Sequence, residues 1–425
     1  MKTIILGGGI TGLVLGYKLG NVLILEKEKE VGGLLSSYSV DGFFIEKYYH
    51  HFFVRDKTLL SLLKELGLGD KILWLPAKTG YFIEGKIYPL NTPIEILKFP
   101  PLSLLDKLRL AFFTLRAKFE DKEKLDGALA KDFALKNCGK RVFEKFFLPL
   151  FKSKFGENWD KISAAWLVSR VALRSNRGLK GERLGYLKGG FQVFLDCLCE
   201  KIKKRGGEIK TLAEVEKIVI EKEKVKGVLV RIDGKEEFIK GERIISTLPP
   251  KALQKILGEK AKEFNLEIPF QGACCLLLSL KEPLLKDIYW LNIDAQVPFG
   301  AIIEHTNFVL SKNYQNEHLV YFASYFQKEN DILATLPQEK LFDIFLNGIK
   351  KLFPDFKKEN INWWKISRAI EAGPIFVTNY KEKILPKKTK TEGLYLCGMF
   401  SKENYPERSL EGGIKTALSL IENLK

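Results

Sequence analysis

Apolar positions in the first 25 residues come as two short solid runs separated by a longer segment. Ile4-Ile5-Leu6 is too short for a helix and reads as a buried strand. Gly7-Gly8-Gly9-Ile10-Thr11-Gly12 follows at once and opens an apolar stretch over residues 13–19, predicted as a helix. Val22-Leu23-Ile24-Leu25 is a second strand and ends in Glu26. Tyr81-Phe82-Ile83 and Lys86-Ile87-Tyr88 flank Glu84-Gly85 as a hairpin. From Thr92 to about Arg183 the apolar residues recur at helical spacing. A helix over 192–205 is stopped by Gly206-Gly207. Residues 208–210 and 213–218 are expected to pair as strands, and 225–230 with 238–240 alternate like a surface meander. Ala273-Cys274-Cys275-Leu276-Leu277-Leu278 is a buried strand, and residues 393–398 and 410–417 form strand, loop and helix.

The chain has 425 residues, which predicts two domains, and 46% of them are hydrophobic, enough for a substantial core. A net charge of +17 points to an anionic substrate or acidic partner. Nucleic acid is set aside, because lysines alternate with glutamates, as in residues 26–30 and 221–224, instead of gathering on one arm. Six cysteines form no CxxC pair and no Cys/His metal spacing, so reduced thiols and no metal are expected. The first strand leaves no room for a secretory peptide, and no apolar run reaches about 18 residues, so a cytoplasmic protein without a membrane span is expected. Residues 100–116 are apolar and basic. They predict either a helix packed on its own domain or a peripheral contact with the inner membrane face.

Strand, glycine turn and helix in this order are the setting in which a GxGxxG pattern binds a dinucleotide. Gly7 permits the turn, Gly9 lets the backbone approach a diphosphate, and Gly12 lets the helix close on the strand. Ile10 and Thr11 open the helix, whose N-terminal N–H groups favour phosphate. Glu26, 19 residues after Gly7, is placed to hold a ribose hydroxyl.

The segment after Glu26, with Lys27, Gly32-Gly33 and Leu34, resembles the extension found in the protoporphyrinogen oxidase and flavin amine oxidase superfamily, which includes phytoene desaturases and UDP-galactopyranose mutase. The run from Asp41-Gly42-Phe43 to His50-His51-Phe52-Phe53 resembles the same families, with Tyr48-Tyr49 in place of a glycine pair. So do Thr247-Leu248-Pro249-Pro250, Gly398, and Glu411-Gly412-Gly413. The resemblance implies noncovalent FAD, with Val215 pairing to adenine and His50 near the flavin. It also implies an α/β fold: a Rossmann-like FAD-binding domain (1–75, 185–250 and 376–425) interleaved with an α+β substrate domain (76–184 and 251–375) carrying a helical insertion.

Amine oxidases of this superfamily often hold a lysine in the strand corresponding to residues 271–276, where this chain has none before Lys281. That favours the protoporphyrinogen oxidase and desaturase branches, which imply hydride transfer from a bulky substrate to flavin N5. Trp166, Arg170, Arg174 and Arg177 fall on one helical face and could clamp an anion, or form a solvated basic face. Two alternatives remain: a redox-neutral sugar-nucleotide mutase, or a flavin-binding protein without catalysis. No pattern specifies the electron acceptor or the oligomeric state.

Overall fold

The computed structural model describes residues 2–174 and 181–424. The fold is α/β. Thr3–Leu6, Val22–Leu25, Glu208–Lys210, Arg243–Ser246 and Leu394–Leu396 form a parallel sheet. Thr3–Leu6 lies at its centre, between Arg243–Ser246 and Val22–Leu25. The first two strands are buried at every position, because both faces of the sheet are covered. Ile5, Ile24 and Ile245 face the helices Ile10–Leu19, Gln192–Lys204 and Leu410–Leu424. Ile4, Leu6, Leu23, Leu25 and Ile244 face the opposite way, toward Val228 and Val230 of the three-stranded meander.

The pairing expected between residues 208–210 and 213–218 does not form. Glu208–Lys210 extends the parallel sheet beside Val22–Leu25, whereas Ala213–Glu221 begins the meander. Leu212, at a left-handed φ of 53°, turns the chain between them.

A second, seven-stranded sheet runs in the order Ile361–Pro374, Phe270–Leu280, His318–Phe326, Ala301–Glu304, Trp290–Asp294, Thr79–Ile83 and Lys86–Pro89. The early hairpin therefore joins a sheet made mostly by much later chain, with Thr79–Ile83 parallel to Trp290–Asp294. Between the hairpin and residue 174 lies a helical segment. Its first two helices, Pro93–Leu97 and Leu104–Arg116, each begin with a capping box, Thr92 with Glu95 and Ser103 with Asp106. Ala130–Cys138, the run from 140 to 155 with a π-turn at Phe143–Phe147, and Ala164–Arg174 complete it. The antiparallel pair Ile72–Pro76 and Arg183–Leu187 forms the neck by which the chain leaves and returns.

Candidate functional site

Two features of the fold carry the candidate site. The first is the glycine turn at the carboxyl ends of the parallel strands, where open α/β sheets bind ligands. Gly7, Thr247 and Gly398 follow three adjacent strands. The Thr247 hydroxyl donates to Leu6 O at 2.8 Å, fixing the turn, and Gly398 N–H donates to Ser401 Oγ at 3.1 Å. A Cβ on Gly12 would lie 2.0 Å from Gly7 O, so only glycine lets the helix sit this close. A Cβ on Gly9 would meet nothing within 4 Å. Gly9 precedes the helix Ile10–Leu19, which has no side-chain cap and no acid in its first turn. No side chain of that first turn competes for the N-terminal N–H groups, as a diphosphate cradle requires.

Gly32-Gly33 stacks on this turn. Gly32 N–H donates to Gly8 O at 2.8 Å, and a Cβ on Gly33 would come within 3.4 Å of Gly9 Cα. Glu26 is buried and accepts from Gly8 N–H at 2.7 Å and Glu28 N–H at 3.0 Å. Each oxygen keeps a lone pair for a ribose hydroxyl. Val215 lies close by, because Ala213 N–H donates to Glu26 O at 2.9 Å. Lys27 stands apart, exposed and paired with Glu28. Thr11 Oγ1 donates to Gly413 O at 3.2 Å, clamping the first helix to the last. A Cβ on Gly412 would press on Asn404 Oδ1 at 2.4 Å. Glu411 faces elsewhere: its carboxylate accepts from Thr58 N–H at 3.1 Å and Leu59 N–H at 2.7 Å, capping the helix Lys57–Glu65.

The second feature is a cavity of about 480 Å³ between the helical segment and the seven-stranded sheet. Leu34 and the loop residues Tyr48, Tyr49, His50 and His51 line it on one side, and Phe146, Phe147, Phe151 and Trp166 from the helices. Trp166 packs edge-on against Phe151 and Phe155, at 5.8 and 4.7 Å between ring centroids. The two tyrosines that replace a glycine pair are accommodated in the cavity wall. Tyr49 meets Trp290 edge-on at 4.9 Å, and its hydroxyl bonds Tyr325 at 3.0 Å. The buried Gln271 Oε1 and Tyr81 hydroxyl, both on lining residues, have no hydrogen-bond partner among the described residues.

Of the predicted arginine stripe, Arg170 lines the cavity, but its Nη1 lies 2.7 Å from Glu407 Oε1, so its charge is answered within the protein. Arg174 ends its helix, and Arg177 lies outside the described residues. Arg408 was not foreseen. It lines the cavity, is exposed, and makes no ion pair among the described residues, its hydrogen-bond contact being with Met399 Sδ at 3.9 Å. The signal for it was available, a basic residue two positions before the closing helix Leu410–Leu424. Residues forming a metal cluster are absent among those described, as is any helix long and apolar enough to cross a membrane.

His50 is half-buried, and Tyr48 O, 2.7 Å from its Nδ1, can only accept, so Nδ1 carries the proton and Nε2 is a bare acceptor. Burial lowers its pKa to about 4, with the Arg408 charge acting in the same direction. Its ring should therefore stay neutral between about pH 5.5 and 8. With four histidines in the chain, NMR titration of the ring carbons, assigned by substitution, can check this. An inflection near the ordinary histidine value would refute it. Asp56, also on the cavity, is pushed up to about 6 by burial, with the Glu411 charge adding to the effect.

A family model described as flavin containing amine oxidoreductase matches residues 11–419. The chain belongs to that family. It is an FAD-dependent oxidoreductase, and the uncapped helix and open space at Gly9 fit its cofactor. Among curated proteins it is 24% identical to a 15-cis-phytoene desaturase of Solanum lycopersicum, over 97% of this chain and 76% of that protein. It is 27% identical to a coproporphyrinogen III oxidase of Staphylococcus aureus, over 60% of this chain and 62% of that one. A putative protoporphyrinogen oxidase from Exiguobacterium sp. 255-15 superposes with a TM-score of 0.76 at 17% identity, covering 100% of this chain and 98% of the other. Reduced UDP-galactopyranose mutase superposes at 0.74 and 16% identity, covering 100% of this chain and 93% of that one. At these identities the two structures speak for the fold alone.

Proposed function

We propose that this enzyme oxidises a bulky substrate with an apolar body and an anionic end, in the manner of the porphyrinogen oxidases and desaturases it is similar to. The observation that carries this reading is the aromatic cavity of about 480 Å³, walled by Phe146, Phe147, Phe151 and Trp166 on one side and the histidine loop on the other. Bound FAD would supply the hydride acceptor, N5. Residues 1–75, 185–250 and 376–425 would hold the cofactor, with residues 76–184 and 251–375 holding the substrate. The aromatic wall excludes water and fixes the apolar body by shape. Arg408 offers a charge-assisted contact to a carboxylate or phosphate. His50 contributes an acceptor at Nε2 and no positive charge. The apolar wall weighs against a sugar nucleotide, whose hydroxyls would lose their hydrogen bonds there.

The test is anaerobic mixing of the purified holoenzyme with a carboxylated porphyrinogen, a polyene and a UDP-galactopyranose. Bleaching of the visible flavin band by either of the first two is the expected result. Isomerisation of the sugar nucleotide by pre-reduced enzyme, with no bleaching by the others, would instead establish the mutase reading. With a carboxylated donor, Arg408→Gln should raise KM about tenfold while flavin content and Tm stay at the wild-type values. An unchanged KM would remove Arg408 from substrate binding.

A further inference from the structure

The helix Leu104–Arg116 presents two faces. Leu110 and Phe113 are buried with the cavity-side core, and Leu110 and Thr114 line the cavity itself. On the opposite side Leu104, Leu105, Leu108, Phe112 and Leu115 are between 57% and 67% exposed, and Phe119 just beyond is 88% exposed. At about 100° per residue these helical positions, with Ala111, fill one arc of roughly 120°. Ile94 and Leu97 of the preceding helix Pro93–Leu97 are also exposed. Single exposed apolar side chains need no explanation, but a contiguous ridge of this kind marks a contact surface.

The charges beside the ridge are sorted by sign. Glu95 is turned onto Asn91 and Thr92 N–H at 2.7 and 2.8 Å, and the buried Asp106 onto Ser103. Both acids are thereby consumed as helix caps. Lys98, Arg109, Arg116 and Lys118 remain exposed beside the apolar arc, Arg116 sharing its charge with Glu120. Arg109 and Arg116 flank one edge of the arc and Lys107 the other.

We infer that this surface docks on a lipid bilayer containing anionic headgroups, with the apolar arc in the acyl boundary and the basic rim at the phosphates. A second copy of the chain is a poorer occupant. A two-fold interface sets the same surface against itself, so the basic rims would oppose one another. Because the inner side of the same helix lines the cavity, docking brings the cavity wall to the membrane, where an apolar substrate would be dissolved. That delivery rests on the proposed function; the docking does not.

The experiment is flotation of the holoenzyme with phosphatidylcholine vesicles, with and without phosphatidylglycerol, at low and high salt. Wild-type protein is expected to float with the anionic vesicles, and high salt should weaken the association at least fivefold. The double variant Leu108→Ser, Phe112→Ser should lose at least tenfold in partitioning while keeping wild-type flavin content and Tm, because both side chains are already in solvent. Wild-type protein left in the soluble fraction, or a variant that floats equally well, would overturn the inference. So would light scattering showing a dimer that the double variant converts to monomer without any vesicle binding. Vesicle-bound protein that fails to oxidise lipid-dissolved donors would count against the delivery and the proposed function, leaving the docking intact.

Discussion

Gly9→Val and Gly12→Ala should both give colourless protein, for opposite reasons. At Gly12 the new Cβ would be 2.0 Å from the carbonyl oxygen of Gly7, and the obstacle is backbone. The helix Ile10–Leu19 would have to slide away from the strand Thr3–Leu6, at a cost of about 3 kcal/mol or more. Flavin and fold stability should therefore be lost together. Gly9 has φ −69° and ψ 175°, a conformation open to any residue, and a Cβ there finds no atom within 4 Å. The apoprotein of Gly9→Val should be as stable as wild type, or about 0.5 kcal/mol more stable through its less flexible unfolded chain. Its defect should be confined to the ligand, because the space the valine fills is the space a diphosphate needs. Visible absorbance after purification, together with thermal unfolding of both apoproteins, separates the two effects. Gly9→Val protein carrying a full complement of FAD would show that the cofactor does not approach this turn, and the assignment of the cradle would fail.

The contrast between these glycines explains what the sequence could show. The turn, its helix, Glu26 and the Gly32-Gly33 stack lie within the first 35 residues, so their geometry follows from local spacing and strand periodicity. Contacts closed over long separations were not legible. The Arg170–Glu407 pair spans 237 residues, and Glu411 caps a helix 352 residues earlier. Side-chain type alone assigns neither partner: an arginine stripe looks the same whether acids or ligands answer it. The hairpin Thr79–Ile83 and Lys86–Pro89 was readable as a hairpin, but its place beside Trp290–Asp294 depends on which sheet edge is free when the later chain folds. The pairing expected for residues 208–218 failed for a related reason. Two short strands separated by Leu212 and Thr211 had separate edges to join, one in the parallel sheet and one in the meander. For the helix Leu104–Arg116, apolar periodicity identified a helix but could not say which apolar side would be covered. The structure leaves the Leu108 and Phe112 side in solvent.

Glu304→Gln should abolish the pH dependence of stability at one buried position. Glu304 is fully buried at the end of the strand Ala301–Glu304. It accepts from Leu284 and Leu285 N–H at 3.0 and 3.1 Å, and from the Thr306 hydroxyl at 3.1 Å. Burial outweighs these donors and pushes its pKa up to about 7, from an ordinary 4.5. A folded-state pKa above the unfolded one means that the native protein binds the proton more tightly. The associated stability is present in full below about pH 4.5 and is lost as pH rises through about 7, an integrated loss of about 3 kcal/mol. Glutamine has the same shape and no charge to desolvate. Its carbonyl oxygen can accept from both backbone N–H groups, while its amide would donate to Thr306 Oγ1, which already accepts from Leu319 N–H at 3.3 Å. The displaced Thr306 hydroxyl proton then lacks a partner, at a cost of about 1 kcal/mol. The variant should be about 1 kcal/mol less stable than wild type at pH 4.5 and about 2 kcal/mol more stable at pH 8, with the two curves crossing between. Glu46, also raised by burial, contributes a slope of the same sign to both proteins and cancels in the difference. Denaturant unfolding at matched flavin saturation across this range measures the crossing directly. Parallel curves would mean that Glu304 is already ionised in the native state at low pH, held by its two backbone donors.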